Sequence, residues 1–153
     1  MELEFAKKVL LVDDDTNFLM EAKKGLEEEN QRIDVITSSS ANNGLDLLEE
    51  KNFDAIVSGY DMQEMSGIRF LNKVRKEKGI EIPFILFTKK NKKEIFLKSL
   101  RFGANRVFDK EDHILFSDKI LAKIIGQEIQ NYENKKELEH YRKEFKRNFE
   151  IYL

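Results

Sequence analysis

Three acidic residues follow directly on a short apolar run in Val9-Leu10-Leu11-Val12-Asp13-Asp14-Asp15. Carboxylates set side by side repel one another and raise each other's pKa unless a cation lies among them. The pattern points to a divalent, oxygen-seeking ion such as Mg2+. A simpler reading makes this a solvated loop in which Asp15 or Thr16 caps the next helix. Capping accounts for one of the acids and leaves the other two unexplained.

Other chemistry-bearing residues are sparse. Lys89-Lys90-Asn91-Lys92-Lys93 is a basic run without interleaved aromatics, which suits a solvated loop better than a nucleic-acid contact. His113 and His140 stand alone. The chain has no glycine-rich phosphate loop and no Ser-His-Asp set with a nucleophile elbow. It contains no cysteine, so disulfides and thiolate metal sites are excluded. The formal net charge is -2 and gives no overall basic field for nucleic acid.

The elements that must position the acids follow from periodicity. At 153 residues and 41% hydrophobic content, the chain supports one domain with a real core. No run is long enough for a secretory leader core or a membrane span, and a cytoplasmic chain is the expectation. Lys8–Val12 reads as a strand buried on both faces. Phe18, Leu19, Ala22 and Leu26 lie on one face of a helix. Arg32–Ser38 is a strand nearer the sheet edge, and Ala41, Leu45, Leu47 and Leu48 mark a second helix. Phe53–Ser58 is a third strand ending at Gly59. Ile68, Leu71 and Val74 make the stripe of a third helix. Ile82–Phe87 is a fourth strand, closed by Thr88. Ile95, Phe96, Leu97, Leu100 and Phe102 mark a fourth helix with Gly103 at its C-cap, and Asn105–Phe108 is a short fifth strand. The alternation predicts a doubly wound, flavodoxin-like α/β domain with a parallel sheet in the order 2-1-3-4-5. Its ligand crevice lies at the carboxyl ends of the strands, where the acids fall.

From Ser117 the pattern stays helical to the end, about 55 Å if unbroken. Residues 5–130 are expected to form the domain and 131–153 an extension of its last helix. Leu138, Tyr141, Phe145, Phe149 and Tyr152 recur at spacings of three and four, interrupted by Gln127, Asn131, Asn134 and Asn148. Such a stripe serves a parallel coiled coil or a connector into a further domain.

Together, the acidic motif, Phe53 through Gly67, Thr88, and Gly103-Ala104-Asn105-Arg106-Val107-Phe108-Asp109-Lys110 resemble the receiver domain of two-component response regulators, over about residues 7–128. The resemblance implies an Asp that accepts a phosphoryl group from a histidine kinase. Lining up the third-strand motif places that acceptor at Gly59, which has no side chain to phosphorylate. Asp54 lies at the far end of the strand and does not replace it. Gln63 and Glu111 stand where the family usually has Pro, so a trans peptide is expected before Glu111. Val107 stands where the family has an aromatic switch residue.

The resemblance therefore implies a vestigial phosphorylation pocket of Asp13, Asp14, Gly59, Thr88 and Lys110. Asp13, Asp14 and the backbone carbonyl of Asp61 would form a weak Mg2+ site, with no other cofactor, or Lys110 would pair with the acids and neutralise them. The expected function is that of a non-enzymatic pseudo-receiver, a protein-interaction module. Its partner would be a histidine kinase or another signalling domain. It would dimerise through the C-terminal helix or through the face of helix four, strand five and helix five, with Phe96, Arg101, Phe102 and Arg106 as candidates. It would touch neither nucleic acid nor membrane directly. The alternatives are an active receiver phosphorylated on another acid such as Asp61, and a flavodoxin-like binder of a small ligand.

Overall fold

Val9, Leu10, Leu11 and Val12 are all fully buried because they form the inner part of a central strand. Successive side chains of a strand point to opposite faces. Val9 and Leu11 enter one core and Leu10 and Val12 the other. That arrangement accounts for a run of apolar residues with no polar alternation. The computed structural model describes residues 6–89, 93–112 and 117–150.

Five parallel strands, β1 (Lys7–Val12), β2 (Ile33–Ser38), β3 (Ala55–Gly59), β4 (Phe84–Thr88) and β5 (Arg106–Asp109), form one sheet in the order β2-β1-β3-β4-β5. The intervening helices are α1 (Thr16–Glu29), α2 (Ala41–Glu50), α3 (Gly67–Asn72) and α4 (Lys93–Arg101), and α5 (Asp118–Glu150) follows β5. Leu19, Ala22 and Leu26 of α1 pack with Leu121, Ala122, Ile125 and Ile129 of α5 on one face. The other face holds Ala41, Phe70, Leu71 and Val74 with Ile56, Phe84 and Leu86. The flavodoxin-like topology expected from the sequence is the one observed.

Several boundaries shift for local reasons. β3 begins at Ala55 rather than Phe53, because the Asp54 carboxylate accepts the Lys8 N–H at 2.8 Å. β3 then runs on through Gly59, which pairs with Phe87. β4 starts after Pro83, whose carbonyl accepts the Ile56 N–H at 2.8 Å. β5 is displaced by one residue, because the Asn105 side chain accepts the Phe84 N–H at 2.8 Å instead of extending the strand.

The third helix departs from expectation more strongly. After Asn72 it widens into a π-helical turn, Lys73–Glu77. The turn presents Arg75 to the carbonyls of Ile80 (2.8 Å), Ile82 (2.7 Å) and Gly103 (2.9 Å) and to the Asn105 amide oxygen (3.1 Å). Gly103 sits at φ 104° where α4 turns into β5, a conformation open to glycine and costly for other residues.

The Ser117 hydroxyl accepts the Ile120 N–H at 3.3 Å and opens α5. The helix runs 33 residues, about 50 Å, so the distal half projects rather than folding back. Lys7 Nζ meets Glu133 Oε1 at 2.6 Å where the helix leaves the domain. Lys90, Asn91, Lys92, His113 and Tyr152, on which part of the sequence reading fell, lie outside the described residues.

Candidate functional site

The carboxyl ends of β1, β3, β4 and β5 converge on the acidic motif. Asp13 follows β1 directly and is only 4% exposed. Its N–H donates to the Ser38 carbonyl at 3.1 Å, tying it to the end of β2. Its Oδ1 accepts the Asp15 N–H at 2.8 Å. Its Oδ2 lies 3.7 Å from Lys110 Nζ. Burial pushes the Asp13 carboxyl above its usual value. The Asp15 N–H and the Lys110 charge pull it back, and the neighbouring Asp14 adds to the rise.

Asp14 and Asp15 have separate tasks. Asp14 is exposed, and its Oδ2 accepts the Gln63 N–H at 3.1 Å, tethering the loop after β3. Asp15 is the N-cap of α1 and accepts the Phe18 N–H at 3.1 Å. The capping reading thus holds for one acid of the three.

Lys110 is delivered by β5, and its N–H donates to the Thr88 carbonyl at 2.8 Å. Its ammonium lies 4.0 Å from the centre of the Phe18 ring and 5.3 Å from that of Phe87. The two rings sit 5.2 Å apart. A lysine placed between a carboxylate and aromatic faces is held by charge pairing and by cation–π attraction together. By sequence Phe18 belongs to a helix stripe and Phe87 to a strand, and neither position signals the contact with Lys110. Phe18, three residues after the cap Asp15, carried the one signal of its position.

Gly59 completes the arrangement. A Cβ placed there would lie 2.6 Å from Asp13 Oδ2 and 3.2 Å from Phe87 Cε2. The Asp13 carboxylate therefore fills the space that a side chain on residue 59 would enter. Gly67 approaches from below: a Cβ there would fall 2.1 Å from the Gly59 carbonyl oxygen. The Gly67 N–H donates to the Tyr60 carbonyl at 2.8 Å, which holds the end of β3 against α3.

A cavity of about 90 Å³ opens here, lined by Asp13, Asp14, Gly59, Asp61, Phe87 and Lys110 among others. Five of the expected site positions thus come together. Thr88, 1% exposed at the end of β4, is not among the lining residues. Asp54 is at the opposite end of the sheet, bonded to Lys8. The peptide before Glu111 is trans, as expected, and no cis peptide occurs among the described residues.

The face of α4, β5 and α5 is less buried than its sequence suggests. Ser99 is the one buried residue of α4 among those described, and Leu97 and Leu100 are 44% and 50% exposed. Phe96 and Phe102 are half-buried, and Arg101 is exposed. Arg106 Nε donates to Glu128 Oε1 of α5 at 2.8 Å.

Residues 9–125 match the family model described as the response regulator receiver domain. The chain belongs to this receiver family. Among curated relatives, the receiver is 35% identical over 106 residues to the two-component response regulator ORR21 of Oryza sativa subsp. indica, covering 68% of this chain and 15% of that protein. It is 28% identical over 141 residues to the nisin biosynthesis regulatory protein NisR of Lactococcus lactis subsp. lactis, covering 92% of this chain and 58% of that protein. The receiver thus spans less than two thirds of either relative's length. Among solved structures it superposes on a CheY-like receiver domain from Methanospirillum hungatei JF-1 with a TM-score of 0.75 at 26% identity, covering 85% of this chain and 98% of that one. Receivers are signalling modules. No helix among the described residues is long and apolar enough to cross a membrane.

Proposed function

We propose that this chain is a non-phosphorylatable receiver that works through protein contacts in two-component-type signalling, in the cytoplasm, with a histidine kinase or another signalling domain as partner. One observation carries the reading. The β3 end that faces Asp13 and Lys110 is Gly59, and the Asp13 carboxylate occupies the place of its missing side chain. Phosphoryl transfer to a carboxylate requires that group positioned in line with the incoming phosphorus. Residue 59 has no carboxylate to offer, and Lys110 is already engaged with Asp13 and Phe18.

Asp13, Asp14 and the Asp61 carbonyl would hold a Mg2+ ion loosely. Among the described residues no three His, Cys, Asp or Glu side chains converge as a metal-holding group. Two carboxylates and one carbonyl leave the remaining positions of an octahedral ion to water, a set Mg2+ accepts at low affinity. A bound ion would supply positive charge beside Asp13 and displace Lys110 from that task.

A second reading keeps Asp61 as acceptor, because it lines the same cavity. A small-ligand role is disfavoured by size: 90 Å³ is far below the roughly 300 Å³ or more of ordinary ligand pockets. Incubation with acetyl phosphate and Mg2+, followed by intact-mass measurement, separates the readings. The unmodified mass is expected. A phosphoryl adduct lost in Asp61→Asn would establish the second reading, and an adduct retained in that variant would refute both.

A further inference from the structure

The distal part of α5 carries a surface for which the receiver core has no use. Every residue from Asn134 to Phe149 is exposed, sixteen in all, or about 24 Å of helix. A lone helix of that length is marginal in water. Leu138, Tyr141, Phe145 and Phe149 are 50%, 59%, 71% and 54% exposed. At about 100° per residue, these four lie within an arc of about 80°. Leu121, Ala122, Ile125 and Ile129, which bury α5 against the domain, centre about 170° away around the axis. The stripe therefore faces away from the side on which the chain's own domain sits.

Charge placement selects the occupant. Nine of the sixteen exposed residues are charged. None of them stands on the line Asn131, Asn134, Leu138, Tyr141, Phe145 and Asn148, whose steps alternate three and four. Lys135 and Arg142 flank one side of that line, and Glu137 and Glu144 the other. In two parallel helices in register, the acidic flank of each copy meets the basic flank of the other, and Glu137 falls opposite Arg142 of the second copy. In an antiparallel pair, acid would meet acid and base would meet base. Asn131, at the root of this line, borders a cleft formed with Arg75, Glu81, Gly103 and Asn105 of the same chain, so the free surface begins at Asn134.

We propose that two copies of this chain associate through residues 134–149 as a parallel, in-register, two-stranded coiled coil, with both receiver domains on the outside and at the same end. This surface is separate from the pocket around Asp13, and the proposal stands or falls independently of it.

The absence of cysteine permits a direct test on the full chain. Asn134 and Asn148 lie seven residues either side of Tyr141. Asn134→Cys and Asn148→Cys are each expected to cross-link to themselves on mild oxidation. An antiparallel pair would give only the mixed disulfide, position 134 of one copy to position 148 of the other, when the two variants are combined. By sedimentation or light scattering the parent is expected to be a dimer, and Tyr141→Asp with Phe145→Asp a folded monomer. Glu137→Lys should weaken the dimer about tenfold, with recovery when Arg142→Glu is added to the same chain. A monomeric parent, a mixed-only cross-link, or a dimer indifferent to the Tyr141 and Phe145 changes would overturn the proposal.

Discussion

Introducing a carboxylate at the end of β3 tests the pocket most directly. In Gly59→Asp the new Cβ starts 2.6 Å from Asp13 Oδ2 and 3.2 Å from the Phe87 ring, so Asp13 must swing aside. Its own carboxylate then lies within about 4 Å of a second one. At an effective dielectric near 20 that repulsion is about 4 kcal/mol. Lys110, 3.7 Å from Asp13, offsets part of it, and uptake of a proton by one carboxyl relieves more. A net loss of about 2–3 kcal/mol without metal follows, or about 5–10 °C in Tm for a domain of this size. Gly59→Ala meets the same contacts without the charge and should lose about 1 kcal/mol. Mg2+ at a hundred times its Kd would return about 2.7 kcal/mol to Gly59→Asp, and much less to the parent, which has one carboxylate fewer to bind it. The assay is thermal or urea unfolding of the three proteins with and without Mg2+. If Gly59→Asp is as stable as Gly59→Ala, or gains no more from Mg2+ than the parent, residue 59 does not face an acidic pocket in the way described.

Asp13→Asn keeps the oxygen that accepts the Asp15 N–H and removes a charge whose burial raises its pKa. Between the usual 3.8 and that raised value the folded chain binds more protons than the unfolded one, so the parent loses stability as pH rises through this window. The variant should therefore be the more stable at neutral pH, with the advantage vanishing below the ordinary carboxylate range, as read by urea unfolding at several pH values. Lys110→Met should cost about 1–3 kcal/mol, because Asp13 is left buried without its cation, and NMR titration should find the Asp13 carboxyl raised further. Gly67→Ala should cost about 2–4 kcal/mol in urea unfolding, since its Cβ would meet the Gly59 carbonyl oxygen at 2.1 Å. A change of less than half that would mean α3 shifts freely against β3.

Order and hydrophobic pattern carried most of the fold. An unbroken apolar quartet at residues 9–12 fits burial between two cores, and the spacing of strand and helix patterns put the order 2-1-3-4-5 ahead of other orders. The acids were legible because three adjacent carboxylates need an explanation. The place of Lys110 came through the family resemblance. What the sequence concealed were features that depend on the approach of distant elements. Phe18 reads as a helix stripe residue until β5 brings an ammonium over its ring. Leu97 and Leu100 read as core because periodicity registers polarity and not the distance to the sheet. The π-helical turn at Lys73–Glu77 has no composition of its own. It is decided by the carbonyls of Ile80, Ile82 and Gly103, which lie beyond the segment that bends to meet them.

That turn bears on which changes of length the chain can absorb. Removing one residue between Lys73 and Glu77 would restore ordinary α-helical pairing, a local improvement. It would also rotate Arg75 by about 100°, away from three backbone oxygens that it now satisfies. The extra residue and the arginine are thus kept or lost as a pair. A relative that shortens this helix by one position should have dispensed with the guanidinium as well, and should close the lower edge of β4 and β5 by some other donor.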